Sequence, residues 1–386
     1  MKTVTMYVWN NFINDARVYR EARTLTDNGY NVVIIAKRDM DELHLPRVEK
    51  PLPGMTILRP LRRAFNKIYN KSIPDKHLPN MWLMLRMAMI GYLRSSDIYH
   101  AHDLNTLIQG ILSAKFRINK KKLIYDSHEV QTSRTHYHTG LVKRVEGSLL
   151  KFVDTVIVEN NTRADYHEEL YKVRPVPLHN YSELYEISKV EAVDFREMFD
   201  IKQDKVIVLY QGGVQEGRGL NLLIEAFSEI KNAVLIMIGD GKEKNNIVRL
   251  RDSLQLQDSV YFIDRVPYKE LRRYTKAADI GIQILENTNF NHYSASSNKL
   301  FEYMMAEVPV VASRLPEIER VVEGEGIGLT IPPSDKQALT EALKTLINNE
   351  KLRETFKIRM NSSKRKYNWE VEQLQLLKIY DELAER

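Results

Sequence analysis

Arg218 and Gly219 end a segment whose residue types fit one task, holding an anion. The apolar run over 206–210 turns through Gly212 and Gly213, and Gly219 opens a helix with Leu223, Ala226, Phe227 and Ile230 on one face. A strand that ends this way leaves unpaired N–H groups and the positive end of a helix dipole beside a guanidinium. Two phosphates of a nucleotide suit such a place. A second glycine turn, at Gly239 and Gly241, follows the run AVLIMI. Further along, Ser296, Ser297 and Asn298 are capping residues, so a helix begins there with open N–H groups. Lys299 adds a cation and Glu302 follows one turn inside, a spacing that also suits a plain ion pair. Leu300, Phe301, Met304 and Met305 read as core.

Imidazoles form the other reactive set. His100, Ala101, His102 and Asp103 place two rings at i,i+2 on one face of a strand end, and His128 follows a later strand. Metal-dependent hydrolases use such patterns, and packing or substrate-binding histidines share them. The chain has no cysteine, which removes disulfides, thiolate catalysis and cysteine-held zinc. Asp15 lies in the turn NNFINDAR after the first apolar run.

The elements that must position these groups alternate along the chain. KTVTMYV, NVVIIA, MTILRP, DIYHAH, KLIYDS and DTVIVEN read as strands, separated by helical patterns over 16–28, 80–94, 104–116 and 141–151 and one ending near 172. The rhythm restarts with KVIVLY, AVLIMIG, VYFI, DIGIQIL, VPVVAS and GLTI. This predicts an α/β protein of two doubly wound, Rossmann-like domains facing across a cleft, with ligands at the carboxyl ends of parallel strands. The length of 386 residues fits two domains, and Pro175 and Pro177 break the pattern before a linker at 178–190. After 334 the pattern is helical, with Leu339, Ala342, Leu343 and Leu346 on one stripe, and YNWEVEQLQLLKIYDEL is a further amphipathic helix.

Charge and hydropathy narrow the partners. Lys and Arg total 57 against 51 Asp and Glu, a net +6 that is too small and too spread for a nucleic-acid protein. No run reaches the ~18 apolar residues of a membrane-spanning helix. The first residues run into a strand without a secretory leader, so a cytoplasmic protein is expected. Arg59, Arg62, Arg63, Lys67, Lys71 and Lys76 crowd one segment, and NMWLMLRMAMIGYLR follows it. A basic stretch joined to an apolar helix can lie on an anionic membrane surface, here through 59–93, or it can be a solvated loop leading into a core helix.

In order and spacing, QGGVQEGRGLNLLIEAF, MIGDG, VYFIDRVPYKEL, AADIGI, KLFEYMMAEVPVVAS and GIGLTIPPSD resemble the GT-B glycosyltransferases of family 4, which carry the glycosyl transferases group 1 signature. NDARVYREARTLTDNGYNVVIIA, DIYHAHD and LIYDSHE extend the resemblance over nearly the whole chain, and the NKLFEYM helix is similar to that of one subgroup. The resemblance implies an acceptor domain over 1–180, joined by a C-terminal helix over 370–386, and a donor domain over 181–369. It also implies a nucleotide-sugar donor, by family frequency a UDP-sugar. The acceptor would be a glycan or a lipid-linked molecule of the bacterial cell envelope or an exopolysaccharide. Transfer would retain the anomeric configuration, with no metal and no other cofactor, in the cytoplasm or at the inner face of the plasma membrane.

Residue by residue, the diphosphate would meet Gly212, Gly213, Arg218, Ser297, Asn298 and Lys299. The nucleoside would meet Gly239, Gly241, Arg265, Val266 and Glu302, whose carboxylate would take the ribose hydroxyls. His128 and Asp15 would be the catalytic groups, and Asn11, His102, Tyr293 and Ser294 would contact sugar or acceptor. The chain departs from the family at Ser294, where many members carry a glutamate, and at Gly213, where many carry a second phosphate-binding cation. Asn10 and Asn11 stand where a glycine pair is common. Two other readings remain on these residues: an inactive nucleotide-sugar-binding partner of another transferase, and a metal-dependent hydrolase using His100, His102 and His128.

Overall fold

The computed structural model describes residues 1–62, 77–134 and 138–385. It divides into two compact units, the first Met1–His179 with Gln373–Arg386, the second Asn180–Glu372.

The first unit is built on one sheet of strands β1 (Thr3–Tyr7), β2 (Asn31–Ile35), β3 (Val48–Glu49), β4 (Met55–Leu58), β5 (Ile98–His102), β6 (Lys122–Ser127), β7 (Thr155–Val158) and β8 (Val176–Pro177). Their order is β3-β4-β2-β1-β5-β6-β7-β8. Thr5 of β1 faces Val33 on one side and Tyr99 on the other, both in parallel register, and among the described strands only β3 runs antiparallel, against β4. Helices α1 (Ala16–Asp27), α2 (His77–Arg94), α3 (Leu104–Lys115), α4 (Thr139–Leu149) and α5 (Asn161–Tyr171) follow the strands. Every residue of β5 is buried, as expected of a central strand covered on both faces. The two-residue strands β3 and β8 carry too little pattern to be read in advance.

The second unit holds β9 (Val206–Gln211), β10 (Ala233–Ile238), β11 (Val260–Ile263), β12 (Ile280–Gln283), β13 (Val310–Ser313) and β14 (Gly328–Ile331). All are parallel, in the order β11-β10-β9-β12-β13-β14. The chain winds outward from β9 to β11 and then returns beside β9 with β12. That reversal opens a crevice at the carboxyl ends of β9 and β12. The helices are α6 (Phe195–Phe199), α7 (Leu220–Phe227), α8 (Lys244–Ser253), α9 (Tyr268–Lys276), α10 (Phe290–Tyr293), α11 (Asn298–Met305), α12 (Pro316–Glu325), α13 (Lys336–Asn348) and α14 (Glu350–Ser363), and then α15 (Trp369–Glu385). From Gln373 onward α15 belongs to the first unit, where Leu376, Ile379, Tyr380 and Leu383 are buried.

Within the basic run, the two described members are engaged by partners in the unit. Arg59 is 3% exposed, donates from Nε to the Asn11 carbonyl at 2.8 Å and pairs with Glu49 at 2.6 Å, so its charge is used inside the unit. Arg62 pairs with Asp39 at 3.3 Å. Arg63, Lys67, Lys71 and Lys76 lie outside the described residues. The apolar helix α2 is two-faced instead: Leu83, Met87 and Ala88 are buried, while Met81, Trp82, Leu85, Met89, Tyr92 and Leu93 are exposed at helical spacing.

Candidate functional site

The loop after β9 and the start of α11 meet in the second unit. Gly212 takes a φ of +133°, and a side chain there would lie 3.6 Å from the Lys299 Cε, so the turn runs directly past the lysine. Gly239 has a φ of +148°, and a Cβ on it would sit 1.9 Å from the Gly212 carbonyl oxygen. Gly241 approaches the Val214 carbonyl in the same manner, at 2.1 Å. Both glycines are thus required by the close passage of two loops over the strand ends. Gly219, at φ +66°, caps α7, and Gly213 accepts a hydrogen bond from the Tyr210 hydroxyl at 2.7 Å.

Lys299 is the unusual cation. Its side chain is buried, its ammonium lies 4.2 Å from the centre of the Tyr210 ring, and Nζ has no hydrogen-bond partner among the described residues. Burial, reinforced by the Arg218 guanidinium and opposed by Glu302, holds its pKa well below the usual range. Arg218 is half-buried, and its guanidinium makes no hydrogen bond or ion pair among the described residues. Glu302 is held from behind: Gln211 Nε2 donates to Oε2 at 2.6 Å, and the Thr275 hydroxyl donates to the Gln211 oxygen at 2.8 Å. Arg218 and Lys299, with no hydrogen-bonded anion among the described residues, sit beside the first turns of α7 and α11, an arrangement suited to an anion, with a fixed carboxylate next to it.

The other expected residues of this unit are placed separately. Ser297 is the N-cap of α11 without a side-chain capping bond, and Asn298 accepts from Asn180 at 2.7 Å. Arg265 is exposed and Val266 packs against the core after β11. Tyr293 is on the surface of α10, its ring 5.7 Å from that of Phe290. Ser294 is buried, and its hydroxyl donates to the Phe290 carbonyl at 2.7 Å, a capping bond that turns it into the helix end.

In the first unit the ends of β5 and β6 carry a buried ionic cluster. Arg17 of α1 donates to both Asp126 oxygens at 3.0 Å and lies 3.1 Å from Glu21. Asp126 Oδ2 is 3.2 Å from His128 Nε2, which also meets His102 Nδ1 at 3.1 Å. Burial disfavours charge on His128, but the Asp126 carboxylate outweighs it and pushes the imidazole up to about 9. Nε2 therefore faces inward, leaving Nδ1 as the ring nitrogen for a ligand. His102 is buried within the cluster. Asp15 caps α1 by accepting from the Val18 amide at 3.2 Å, and its second oxygen accepts from Asn10 at 2.8 Å. Asn11 donates to Glu42 at 2.6 Å and accepts from the Ile13 amide at 3.2 Å. The groups whose ligand atoms converge, within 4.8 Å, are Glu21, His100, His102 and Asp126, without His128. All four are buried, so an ion there has no open face for a substrate, and the hydrolase arrangement is not formed among the described residues.

Sequence reasoning missed Tyr210, Gln211, Thr275, Arg17, Glu21 and Asp126. Gln211 directly precedes the glycine turn, the single local signal any of them carried.

Residues 193–362 match the family model described as Glycosyl transferases group 1. Among curated proteins, the chain is 28% identical over 183 residues to a phosphatidyl-myo-inositol mannosyltransferase of Mycobacterium leprae, a match covering 46% of each chain. It is 22% identical over 281 residues to the O-antigen biosynthesis glycosyltransferase WclY of Escherichia coli, covering 71% of this chain and 77% of that one. The chain thus spans about half the length of the first relative and about three quarters of the second. Among solved structures, sucrose-phosphate synthase from Thermosynechococcus elongatus superposes with a TM-score of 0.81 at 19% identity, covering 100% of this chain and 99% of that one. Anabaena Alr3699/HepE, solved with UDP and glucose, gives 0.76 at 14% identity, covering 99% and 100%. The fold is that of these GT-B enzymes, two parallel-sheet α/β domains.

Proposed function

We propose that the chain, a glycosyltransferase through its group 1 domain, moves a sugar from a UDP-sugar to a glycan or lipid-linked acceptor of a bacterial envelope or exopolysaccharide. The observation that carries this reading is the buried Lys299 ammonium, which has no hydrogen-bond partner among the described residues, beside Gly212 and Arg218, with Glu302 fixed next to it by Gln211. A diphosphate supplies the missing anion. The two oxygens of Glu302 suit the paired hydroxyls of a ribose. As the sugar departs, negative charge builds on the diphosphate, and Arg218, Lys299 and the helix N–H groups are aimed at it beforehand. With cations already supplied by the chain, the departing charge is balanced without a divalent metal at the reacting atoms. Lacking a glutamate at Ser294, we assign attack from the face of departure, retaining the anomeric configuration, with a phosphate oxygen taking the acceptor proton.

His128 is the first-unit residue we assign to turnover. The relatives named for O-antigen synthesis and for a phosphatidylinositol acceptor support an envelope substrate, and the HepE complex supports UDP. The exposed apolar face of α2 supports peripheral attachment at the inner membrane face.

Calorimetry with UDP, GDP and ADP, followed by a donor panel read by nucleotide release, tests this reading. UDP binding that is lost in Arg218→Ala is expected, along with poor turnover in His128→Ala. Absence of binding to every nucleotide would overturn it.

A further inference from the structure

We propose that Glu21, His100 and His102 form a buried site for a divalent transition-metal ion, zinc in the first instance, which ties α1 to the end of β5 and stands apart from the transfer chemistry. Three observations converge on it. The ligand atoms of these residues and of Asp126 lie within 4.8 Å of one another. Both Glu21 oxygens and the Nε2 atoms of His100 and His102 are buried with no hydrogen-bond partner among the described residues. Glu21 Oε1 lies 3.1 Å from Arg17, and the other three atoms, in one dry spot, are costly unless a shared ligand satisfies them. An ion does this for a carboxylate and two imidazoles at once.

The third observation is how the rings are held. His100 Nδ1 is 2.9 Å from the Tyr380 hydroxyl, and His102 Nδ1 is 3.5 Å from Asp126 Oδ2. A metal-binding histidine characteristically donates its other N–H to an oxygen behind it, which turns the remaining lone pair toward the ion. The His100 ring follows that arrangement, and His102 Nδ1 meets His128 Nε2 at 3.1 Å with the Asp126 oxygen beyond it; the i,i+2 spacing on β5 sends both rings to one face, where they stack with centroids 4.1 Å apart. Asp126 is occupied by Arg17 and His128, so its part is to orient His102. Arg17 approaches Glu21 Oε1 at 3.1 Å, which leaves Oε2 for the metal. Two nitrogens and one carboxylate oxygen make a donor set that suits zinc, with a water in the fourth position. Bonds of about 2.0–2.2 Å require the three side chains to close slightly around the ion.

The test uses the full chain, purified without a histidine tag. Elemental analysis should find about one equivalent of zinc, and chelator-stripped protein given cobalt(II) should show the intense visible bands of a four-coordinate site. Tyr380→Phe, which keeps every ligand, should weaken zinc affinity about 10- to 100-fold. Glu21→Gln should lose the metal, while His167→Ala, in another part of the unit, should keep it. UDP affinity should be the same with and without zinc, so failure here is separate from failure of the nucleotide reading. Metal below about a tenth of an equivalent in the parent, both as purified and after cobalt loading, overturns the site, as does equal metal in Glu21→Gln. The parent measurements decide even where a variant fails to fold.

Discussion

The Lys299 ammonium lies over the face of the Tyr210 ring, 4.2 Å from its centre, and takes from that ring what no hydrogen bond among the described residues gives it. A buried cation held this way weakens folding and strengthens anion binding at the same position. Lys299→Met should therefore move two measurements in opposite directions. Thermal unfolding should show the variant at least as stable as the parent. Its UDP affinity should fall by about 1.5–3 kcal/mol, the range for a hydrogen bond to a charged group. A variant that is destabilised and still binds UDP normally would make Lys299 a packing residue.

The same residue sets a pH dependence. Its pKa in the folded chain is depressed from the ordinary 10.5 by burial and then by Arg218. Between the folded and unfolded values the unfolded chain binds more protons, so this residue's contribution makes stability rise with pH through that window. UDP binding runs the other way. The diphosphate favours the ammonium form, so binding takes up a proton wherever the free protein holds a neutral amine, and affinity falls as pH rises. Calorimetry in two buffers of different ionisation enthalpy should give different apparent heats for the parent and equal heats for Lys299→Met. Equal heats for both would remove the proton linkage.

Glu302 should discriminate between parts of the ligand. Glu302→Gln keeps the shape but weakens acceptance of two hydroxyls, so UDP affinity should drop by about 1.5–3 kcal/mol while inorganic pyrophosphate binds as before. Gln211→Ala, which removes one hydrogen bond to the carboxylate without removing the carboxylate, should show a smaller loss of the same kind. Equal weakening of UDP and pyrophosphate would place Glu302 at the phosphates instead.

The outer face of α2 predicts a surface interaction. Met89→Glu combined with Leu93→Glu removes two large exposed apolar groups, worth about 3 kcal/mol or more of transfer free energy, and adds like charge. Sedimentation of the parent with phosphatidylglycerol vesicles and its loss in the double variant are expected, with UDP binding unchanged. A parent that remains in the supernatant with these vesicles would argue for a soluble acceptor.

What could be read ahead of the structure followed the range of the interactions. β10 was legible because six consecutive apolar residues between turn signals are too few for a helix and too apolar for an edge strand, and α7 because Gly219 precedes a clean apolar stripe. Arg59 was misread as a surface charge because its partners, the Asn11 carbonyl and Glu49, come from other segments. α2 is apolar on two sides, so periodicity could not say which side meets the sheet. Within the candidate site, Lys299 and Arg218 were visible through local helix-start signals. The support of Glu302 by Gln211 spans 91 positions and left no local trace. The buried pairing of Arg17 and Glu21 reads in sequence as an ordinary solvated i,i+4 pair on a helix surface, the opposite of where it lies.

The Tyr380 hydroxyl on His100 has a consequence for the order of events on the ribosome. The first unit is completed only when Gln373 onward brings Leu376, Ile379, Tyr380 and Leu383 into it, yet that segment emerges after all of Asn180–Glu372. At ordinary elongation rates the nascent amino-terminal sheet waits on the order of 10–40 s for its last helix. Throughout that interval His100 and the apolar floor around it are open to solvent, to chaperones and to any metal ion in reach. The second unit is continuous in the chain and has no such wait, so folding is expected to finish at the amino-terminal end of the molecule, the part made first.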